Sequence, residues 1–232
     1  MIIVISNIFN EAVPALINRF PKGTVSLFTS RDLSKRGTSI HFNNFDKGSI
    51  VVSGKKILIR NISGVLTLIA NIYPQELVQI NKEDREYVSC EMNAFLTWFL
   101  SQLKCPMLNR PSATCFSGQL WKTEYWIKLA IESGIPVDTL VRNNSLPKKH
   151  KKPVEDKFIS VTLIGKKVYG TAIKEIKNYT LLLASAVKLN LLKVIFKKTA
   201  SGKYKFYNAT QFPDVTDQRV SNAIIEFFSI RS

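Results

Sequence analysis

A lysine run between two prolines constrains the fold of this chain most strongly, because it separates two stretches of different pattern. Residues 146–153 read Leu-Pro-Lys-Lys-His-Lys-Lys-Pro. Such a run cannot bury itself, and each proline disfavours a helix through it. We therefore predict an exposed linker over residues 143–157, between an N-terminal domain of residues 1–142 and a C-terminal part of residues 158–232.

The N-terminal stretch alternates strand and helix signals, which is typical of an α/β domain. Short apolar runs predict strands at Ile2–Ile5, Val25–Phe28, 65–69 and 137–141, and a hairpin at 49–60. Helical spacing of apolar residues predicts helices at 11–20, from Asn81 to about Leu103, and at 118–132, the last ending before Gly134.

The C-terminal stretch has an α+β pattern. We predict a hairpin of strands 158–164 and 168–173, a helix at 179–192, a second hairpin of strands 193–199 and 203–208, and a final helix that begins at Thr216 or Asp217. No internal repeat is present.

The positive charge is concentrated around the linker. The chain carries 33 Lys+Arg against 17 Asp+Glu, a net charge of +16. Residues 143–205 hold fifteen lysines, no arginine and three acidic residues, which is twelve of those sixteen charges. The run is therefore either a solvated connector or a contact site for an acidic peptide, a phosphate or a nucleic acid. Lysine without interleaved aromatic residues favours loose electrostatic attraction.

The residues of common catalytic sites are scattered. The ten glycines form no phosphate-binding loop, and neither His41 nor His150 lies in a catalytic pattern. Cys90, Cys105 and Cys115 have no histidine at metal-binding spacing and suggest no disulfide framework. Apolar runs are too short for a membrane span or a signal peptide. We predict a soluble cytoplasmic protein without a membrane partner, with no catalytic residue and no cofactor.

Several motifs resemble those of ATP-grasp peptide ligases, in particular the graspetide (microviridin-type) and ribosomal-protein glutamate ligases. Their pre-grasp domain is similar to residues 84–96, to Leu108-Asn109-Arg110-Pro111 and to residues 134–141, with Lys122 and Leu129-Ala130 between them. Residues 158–168, 181–192 and 194–213 resemble the end of their grasp domain. The resemblance implies an α/β pre-ATP-grasp domain followed by a truncated, ATP-grasp-like α+β part.

Two departures from the family pattern suggest a degenerate, shortened relative. Where the family has magnesium-binding Asp, Glu and Asn, this chain has Ile195, Asn208 and Thr210. The nucleotide-binding subdomain should lie between Val141 and Phe158, where only about sixteen residues are present. Phosphoryl transfer depends on neutralising and positioning the phosphates, so the resemblance favours a pseudoenzyme without ATP or metal, although the question of activity stays open here.

The first functional hypothesis is a non-catalytic protein that binds an acidic peptide or an active partner ligase, in a homo- or hetero-oligomer, during the modification of ribosomally made peptides. Its predicted binding residues are lysines on and after the linker: Lys148, Lys149, Lys151, Lys152, Lys166, Lys167, Lys203 and Lys205.

Two alternatives remain. The first is an ATP-dependent carboxylate–amine ligase that acts with a partner subunit, with Asp214 or Asp217 as an oxygen donor. The second is a basic nucleic-acid-binding protein, which the pI near 9.8 permits. The alternation of lysine with aromatic residues over 203–207 is better explained as a two-sided strand.

Overall fold

Two four-stranded sheets organise the protein. The computed structural model describes residues 1–137 and 157–229. The strands are β1 (Ile2–Ile5), β2 (Val25–Phe28), β3 (Ser49–Val52), β4 (Lys55–Leu58), β5 (Gly64–Thr67), β6 (Met107–Leu108), β7 (Lys157–Ile164), β8 (Lys167–Tyr169), β9 (Leu191–Lys198) and β10 (Tyr204–Thr210). The helices are α1 (Ala12–Ile17), α2 (Ser30–Leu33), α3 (Arg85–Gln102), α4 (Thr123–Glu132), α5 (Lys174–Val187) and α6 (Gln218–Ser229).

The first sheet is parallel, with the strand order β2-β1-β5-β6. Every residue of β1 and β5 is buried, because both faces of the sheet are covered. Leu96 and Phe99 of α3 pack against one face, in a core with Ile3 and Val65. The other face packs against α1 and α6. Unbroken apolar strands are what a parallel sheet covered on both sides requires.

The second sheet is antiparallel, with the order β10-β9-β7-β8. Its strands alternate between a buried and a more exposed side. The buried side packs against α4 and α5, and its residues include Val161, Leu163, Val194, Phe196, Phe206 and Ala209. Although α4 precedes the predicted linker, Trp126 and Ala130 on that helix belong to this second core. The predicted domain limits, 1–142 and 158–232, stay a prediction.

Asn109 links the two sheets. It directly follows β6 with a φ of 65° and is 1% exposed. Its side-chain amide donates to the carbonyl of Leu191 at 2.8 Å, and its side-chain oxygen accepts from the backbone N–H groups of Asn190 and Leu191 at 2.8 and 2.9 Å. Asparagine tolerates the left-handed conformation better than most residues. One side chain thus fixes the start of β9 against the end of β6.

The helix after β8 lies earlier than its predicted position of 179–192. It spans Lys174–Val187, and Lys188 follows in a left-handed conformation with a φ of 55°. The N–H of Leu189 bonds back to the carbonyl of Ala184 at 3.1 Å and closes the helix. The leucines that prolonged the helical pattern belong to the closing turn and to β9, because buried strand residues and helix residues are equally apolar.

Smaller differences occur at other element ends. The predicted helix from Asn81 begins at Arg85, and the one at 118–132 begins at Thr123. β8 ends at Tyr169, since Gly170 adopts a φ of 99° and its added Cβ would meet the Ser160 carbonyl oxygen at 2.9 Å. The short strand β6 was not predicted. The predicted left-handed Gly134 after α4 is confirmed, with a φ of 72°.

Part of the predicted linker and strand lies outside the described residues, namely positions 138–156. Val137 is described and forms a parallel bridge with Phe206. Within the described ranges, no helix has the length and apolar character that crossing a membrane requires.

Candidate functional site

The side of the second sheet that faces away from α4 and α5 forms the candidate site. Successive residues of a strand point to opposite faces, and the buried side is already assigned. The remaining positions define the open face: Phe158, Ser160 and Thr162 on β7, Tyr169 on β8, Lys193, Ile195 and Lys197 on β9, and Lys205, Asn208 and Thr210 on β10. At one end this side is covered by α6, which packs on Ile164 and Leu191.

Strand pairing arranges the open face in three rows across the strands. The first row is Phe158, Lys197 and Lys205; the second is Ser160, Ile195 and Asn208; the third is Tyr169, Thr162, Lys193 and Thr210. Neighbouring rows are two residues apart along β7 and β9, which corresponds to about 6.7 Å, whereas a bulge in β10 places one extra residue between its first and second rows.

A cleft of about 250 Å³ lies at the third row. The sheet contributes hydroxyl groups and one ammonium group, from Ser160, Thr162, Tyr169 and Lys193. The segment after β10 contributes Asp214 and Asp217, and the first turn of α6 contributes Arg219. The cleft therefore holds two cations and two carboxylates, so its formal charge is balanced.

Both carboxylates of the cleft are already hydrogen-bonded within the protein. Asp214 accepts from the Thr216 hydroxyl at 2.6 Å and from its N–H at 2.9 Å. The Thr216 hydroxyl is the main reason why the pKa of Asp214 lies below its usual value. Asp217 accepts from Arg219, with a 3.0 Å contact between Nη2 and Oδ2, which likewise lowers the pKa of Asp217. Both groups are thus ionised at neutral pH.

A β-bulge at Tyr207 shapes the opposite end of the open face. The register shifts between Phe206 and Asn208, which leaves Tyr207 as the extra residue. The Tyr207 ring meets the Phe158 ring edge-on, with centroids 4.9 Å apart and planes inclined by 60°. Phe158 is 47% exposed and Tyr207 is 43% exposed. The first row thus combines two lysines with an exposed aromatic pair.

The three positions where the resemblance places magnesium ligands come together on the open face. Ile195 pairs with Asn208, and Thr210 lies one row further along β10. Isoleucine offers no donor atom. The side-chain oxygen of Asn208 accepts from the N–H of Ala209 at 2.9 Å, and the Thr210 hydroxyl accepts from the N–H of Phe212 at 3.2 Å. Magnesium prefers carboxylate and water oxygens in octahedral geometry, so these residues do not fit that ion.

Clusters of potential metal ligands are also missing from the described ranges, where no three His, Cys, Asp or Glu side chains are grouped to hold a metal ion.

The predicted binding lysines occupy different places. Lys148, Lys149, Lys151 and Lys152 lie outside the described residues. Lys166 and Lys167 lie at the turn between β7 and β8, where Lys167 pairs with Glu226 of α6 at 2.7 Å. Lys203 and Lys205 lie at the other end, at the hairpin of β9 and β10. Seven strand steps, about 23 Å, separate the two ends, so the structure does not bring these two lysine pairs together.

Sequence reasoning missed Lys193, Lys197 and Arg219 as site residues. The available signal was the period-two pattern of β9, where Lys193, Ile195 and Lys197 alternate with buried Leu192, Val194 and Phe196. That pattern assigns the three residues to one face, but only the strand pairing shows which residues of β7 and β10 stand beside them.

No protein-family model matches the sequence, and no curated protein is similar to it. Solved structures are similar in fold. The macrocyclase MdnC bound with precursor peptide MdnA, from Microcystis aeruginosa MRC, superimposes with a TM-score of 0.73 at 14% identity, covering 99% of this chain and 100% of that chain. A RiPP-associated ATP-grasp ligase from Chryseobacterium gregarium, in complex with ADP and a leader and core peptide, gives 0.68 at 11% identity, covering 100% and 97%.

A third structure agrees with these two. The ATP-grasp ligase PsnB, complexed with a minimal precursor, gives a TM-score of 0.67 at 13% identity and covers 100% of this chain and 99% of that chain. The chain therefore has the fold of ATP-grasp peptide ligases, and the predicted fold class, a mixed α/β structure of the ATP-grasp type, is confirmed. Identities this low concern the fold alone.

Proposed function

We propose that this protein is a non-catalytic member of the ATP-grasp peptide-ligase fold, which binds an acidic peptide and acts beside an active ligase in the modification of ribosomally made peptides. The observation that carries the proposal is the chemistry of the open face. Ile195, Asn208 and Thr210 occupy the positions at which the resemblance places metal ligands, and Lys193 pairs directly with Thr210.

The argument against phosphoryl transfer rests on charge. That reaction needs cations or metal ions held against the phosphates, with the metal fixed by carboxylates. The β-strand positions of the open face supply lysines and neutral side chains, whereas Asp214 and Asp217 hold Thr216 and Arg219. A carboxylate engaged in this way would have to give up its present partner before it could bind a metal.

The argument for a peptide rests on fold and charge together. MdnC, PsnB and the Chryseobacterium gregarium ligase have the same fold, and each was solved with a peptide. Lys193, Lys197 and Lys205 all lie on the open face and give it positive charge. An acidic segment would therefore be attracted to this surface. The three cysteines are unpaired, which agrees with a cytoplasmic site of action.

Calorimetry of the 232-residue chain tests the non-catalytic part of the proposal. We expect no heat of binding when Mg-ATP is titrated to millimolar concentration. Micromolar binding of Mg-ATP would contradict it.

Fluorescence polarisation tests the peptide part. A fluorescein-labelled peptide rich in glutamate should bind with an affinity that falls as salt is raised, whereas the same peptide with glutamine in place of glutamate should not bind. Equal binding of the two peptides would count against an acidic ligand.

One observation keeps a second candidate function open. Asp214 lines the cleft together with Lys193 and is ionised at neutral pH. An ATP-dependent ligase completed by a partner subunit would use such a group as an oxygen donor. ATP turnover that requires the partner and disappears in Asp214→Ala would favour this candidate. The control is a partner ligase whose own catalytic site has been inactivated by mutation. If this chain together with that inactive partner turns over no ATP, the first proposal is favoured.

A further inference from the structure

A groove of about 630 Å³ lies between α5 and the turn that joins β7 to β8. Since α5 packs on the covered side of the second sheet, the groove faces away from the open face. Its apolar side chains are Leu163, Leu181, Ala184 and Leu189. Three of them belong to the second core, whereas Leu181 is 41% exposed. The groove thus offers an apolar surface that the fold itself leaves uncovered.

Polar side chains gather at one end of this groove. They are the exposed side chains of Lys166, Ser185, Lys188 and Asn190. The N–H of Gly165 donates to the carbonyl of Asn190 at 2.7 Å, and this bond ties the turn to the segment after α5. Lys166 and Lys188 therefore lie on the two walls of the same end, where the walls are joined.

The two ammonium groups at this end are available to a ligand. No carboxylate lines the groove, and within residues 1–137 and 157–229 neither Lys166 nor Lys188 forms an ion pair. The nearby Glu226 is engaged by Lys167 at 2.7 Å. Carbonyls at a helix end can attract a lysine, but those of the last turn of α5 already accept from the backbone N–H groups of Lys188 and Leu189.

The layout of the groove selects a ligand with its negative charge at one end. Leu181 precedes Lys188 by seven residues, which is about 10 Å along the helix, and about three residues of an extended peptide cover that distance. An acidic residue inside a peptide has chain on both sides of it. A terminal carboxylate has chain on one side only, as a groove that is joined at its cationic end requires.

We infer that this groove binds the C-terminal end of a peptide. The terminal carboxylate lies between Lys166 and Lys188, within reach of the Asn190 amide, and about three apolar residues follow α5 as far as Leu181. Burial of the apolar residues supplies most of the affinity, and the ammonium groups select the free carboxylate. The inference goes beyond the proposed function, because it adds a second peptide site on the other side of the sheet.

Three labelled hexapeptides test the inference with the 232-residue chain. The first carries fluorescein at its N-terminus, followed by three threonines, a valine and two leucines, and ends in a free carboxyl group. The second is its C-terminal amide, and the third has serine in place of the three apolar residues. Polarisation titrations should give a dissociation constant about fivefold higher for the amide. The serine peptide should bind at least about tenfold more weakly than the first.

Four variants locate the site. Lys166→Gln and Lys188→Gln should each weaken binding of the free acid about two- to fivefold and leave binding of the amide unchanged. Leu181→Ser should weaken binding of both peptides, because it removes an apolar contact that they share. Lys174→Gln is the matched control, since it removes the same charge at the other end of α5, about 21 Å from Lys188 along the helix. It should leave binding of both peptides unchanged.

The outcomes keep this inference apart from the proposed function, because these peptides contain no acidic side chain. Equal binding of the free acid and the amide, or no binding of the free acid at millimolar concentration, would overturn the inference and leave the glutamate-rich ligand untouched. An equal loss of affinity in Lys174→Gln and Lys188→Gln would also overturn it. Tighter binding of octanoate than of the free-acid peptide would overturn the peptide assignment and give the groove to a fatty acid.

Discussion

The two sheets of this protein differ in how many of their faces are covered. The parallel first sheet is covered on both sides, and all residues of its central strands β1 and β5 are buried. The antiparallel second sheet is covered on one side, and the other side carries three lysines, hydroxyl groups and an exposed aromatic pair. A doubly covered sheet has no surface left for a ligand, so binding chemistry is concentrated on the half-covered sheet.

Alanine substitutions at neighbouring positions test this contrast and should have the largest effects. Phe206 is 1% exposed and Tyr207 is 43% exposed. Phe206→Ala should lower the free energy of unfolding by about 4 kcal/mol through lost burial and a cavity, and Tyr207→Ala by less than about 1 kcal/mol. In β5, both Val65→Ala and Leu66→Ala should destabilise by about 2 kcal/mol or more.

Urea denaturation of these four variants measures the contrast. The distinction between the sheets fails if Val65→Ala or Leu66→Ala is as harmless as Tyr207→Ala.

The link between the sheets should give the next largest effect. Asn109→Gly permits the left-handed backbone but removes three hydrogen bonds to Asn190 and Leu191. Because the backbone N–H and carbonyl of fully buried Leu191 lose these bonds where water cannot replace them, we expect a loss of about 3 kcal/mol in the free energy of unfolding. Asn71→Ala removes an exposed side-chain hydrogen bond to Thr114 and serves as the control, with a loss below about 1 kcal/mol.

The number of unfolding transitions shows whether the two sheets unfold together or independently. If Asn109→Gly unfolds in two transitions and the wild type in one, Asn109 couples two units that are stable alone. A single transition at lower urea concentration indicates one cooperative unit.

The close approach of β5 to α6 should give a smaller effect. A Cβ added at Gly64 would lie 2.6 Å from Cδ1 of Phe228, and the Phe228 ring is buried. Gly64→Ala should therefore cost about 1–3 kcal/mol through overpacking. The double variant Gly64→Ala/Phe228→Leu provides the control, since a smaller side chain leaves room for the added methyl group. Equal destabilisation by Gly64→Ala in the wild-type and Phe228→Leu backgrounds would contradict a steric cause.

A change of pH should affect stability in opposite directions through one carboxyl group in each region, and this effect should be the smallest. Burial raises the pKa of Glu76, near the first sheet, above its ordinary value of 4.5. Ionisation of Glu76 therefore costs more free energy in the folded protein than in the unfolded chain. The stability of the protein is lost as the pH rises from 4.5 through the raised pKa. The pKa of Asp214 is instead lowered from 3.8, so its contribution is present above 3.8 and is lost as the pH falls through the lowered pKa.

Glu76→Gln and Asp214→Asn should therefore change the pH profile of stability in opposite directions. Relative to the wild type, Glu76→Gln should gain stability as the pH rises above 4.5, and Asp214→Asn should lose it above 3.8. Thermal unfolding between pH 3 and pH 7, roughly the range over which the two carboxyl groups titrate, measures both. Parallel profiles for the two variants and the wild type would show that neither carboxyl group titrates differently on folding.

The sequence predicted most elements of the fold because apolar periodicity reports which faces are buried. The hairpin at 49–60 was predicted from its two apolar strands around Gly54, and β3 and β4 confirm it. The helix α5 was misplaced because the leucines before and within β9 prolong a helical pattern. The two-residue strand β6 is too short to give any periodic signal.

The candidate site was predictable only in part. The motif comparison selected Ile195, Asn208 and Thr210, and the strand register brings them together. The predicted lysines were selected by their density in the sequence, and density does not report spatial proximity. Lys193 and Lys197 become site residues through pairing with β10, the other strand of their hairpin, and with β7, which β8 and α5 separate from β9 along the chain.

The packing of α4 and Val137 on the second sheet has a consequence for fragment complementation. A break anywhere in residues 138–156 would leave two pieces that pack into each other. The N-terminal piece supplies Trp126 to the core of the second sheet, and the C-terminal piece supplies Phe228 to the core against the first sheet. Asn109 adds three hydrogen bonds across the same boundary. Residues 1–137 and 157–232, co-expressed as separate chains, should therefore reassemble into one particle, as in a split reporter protein.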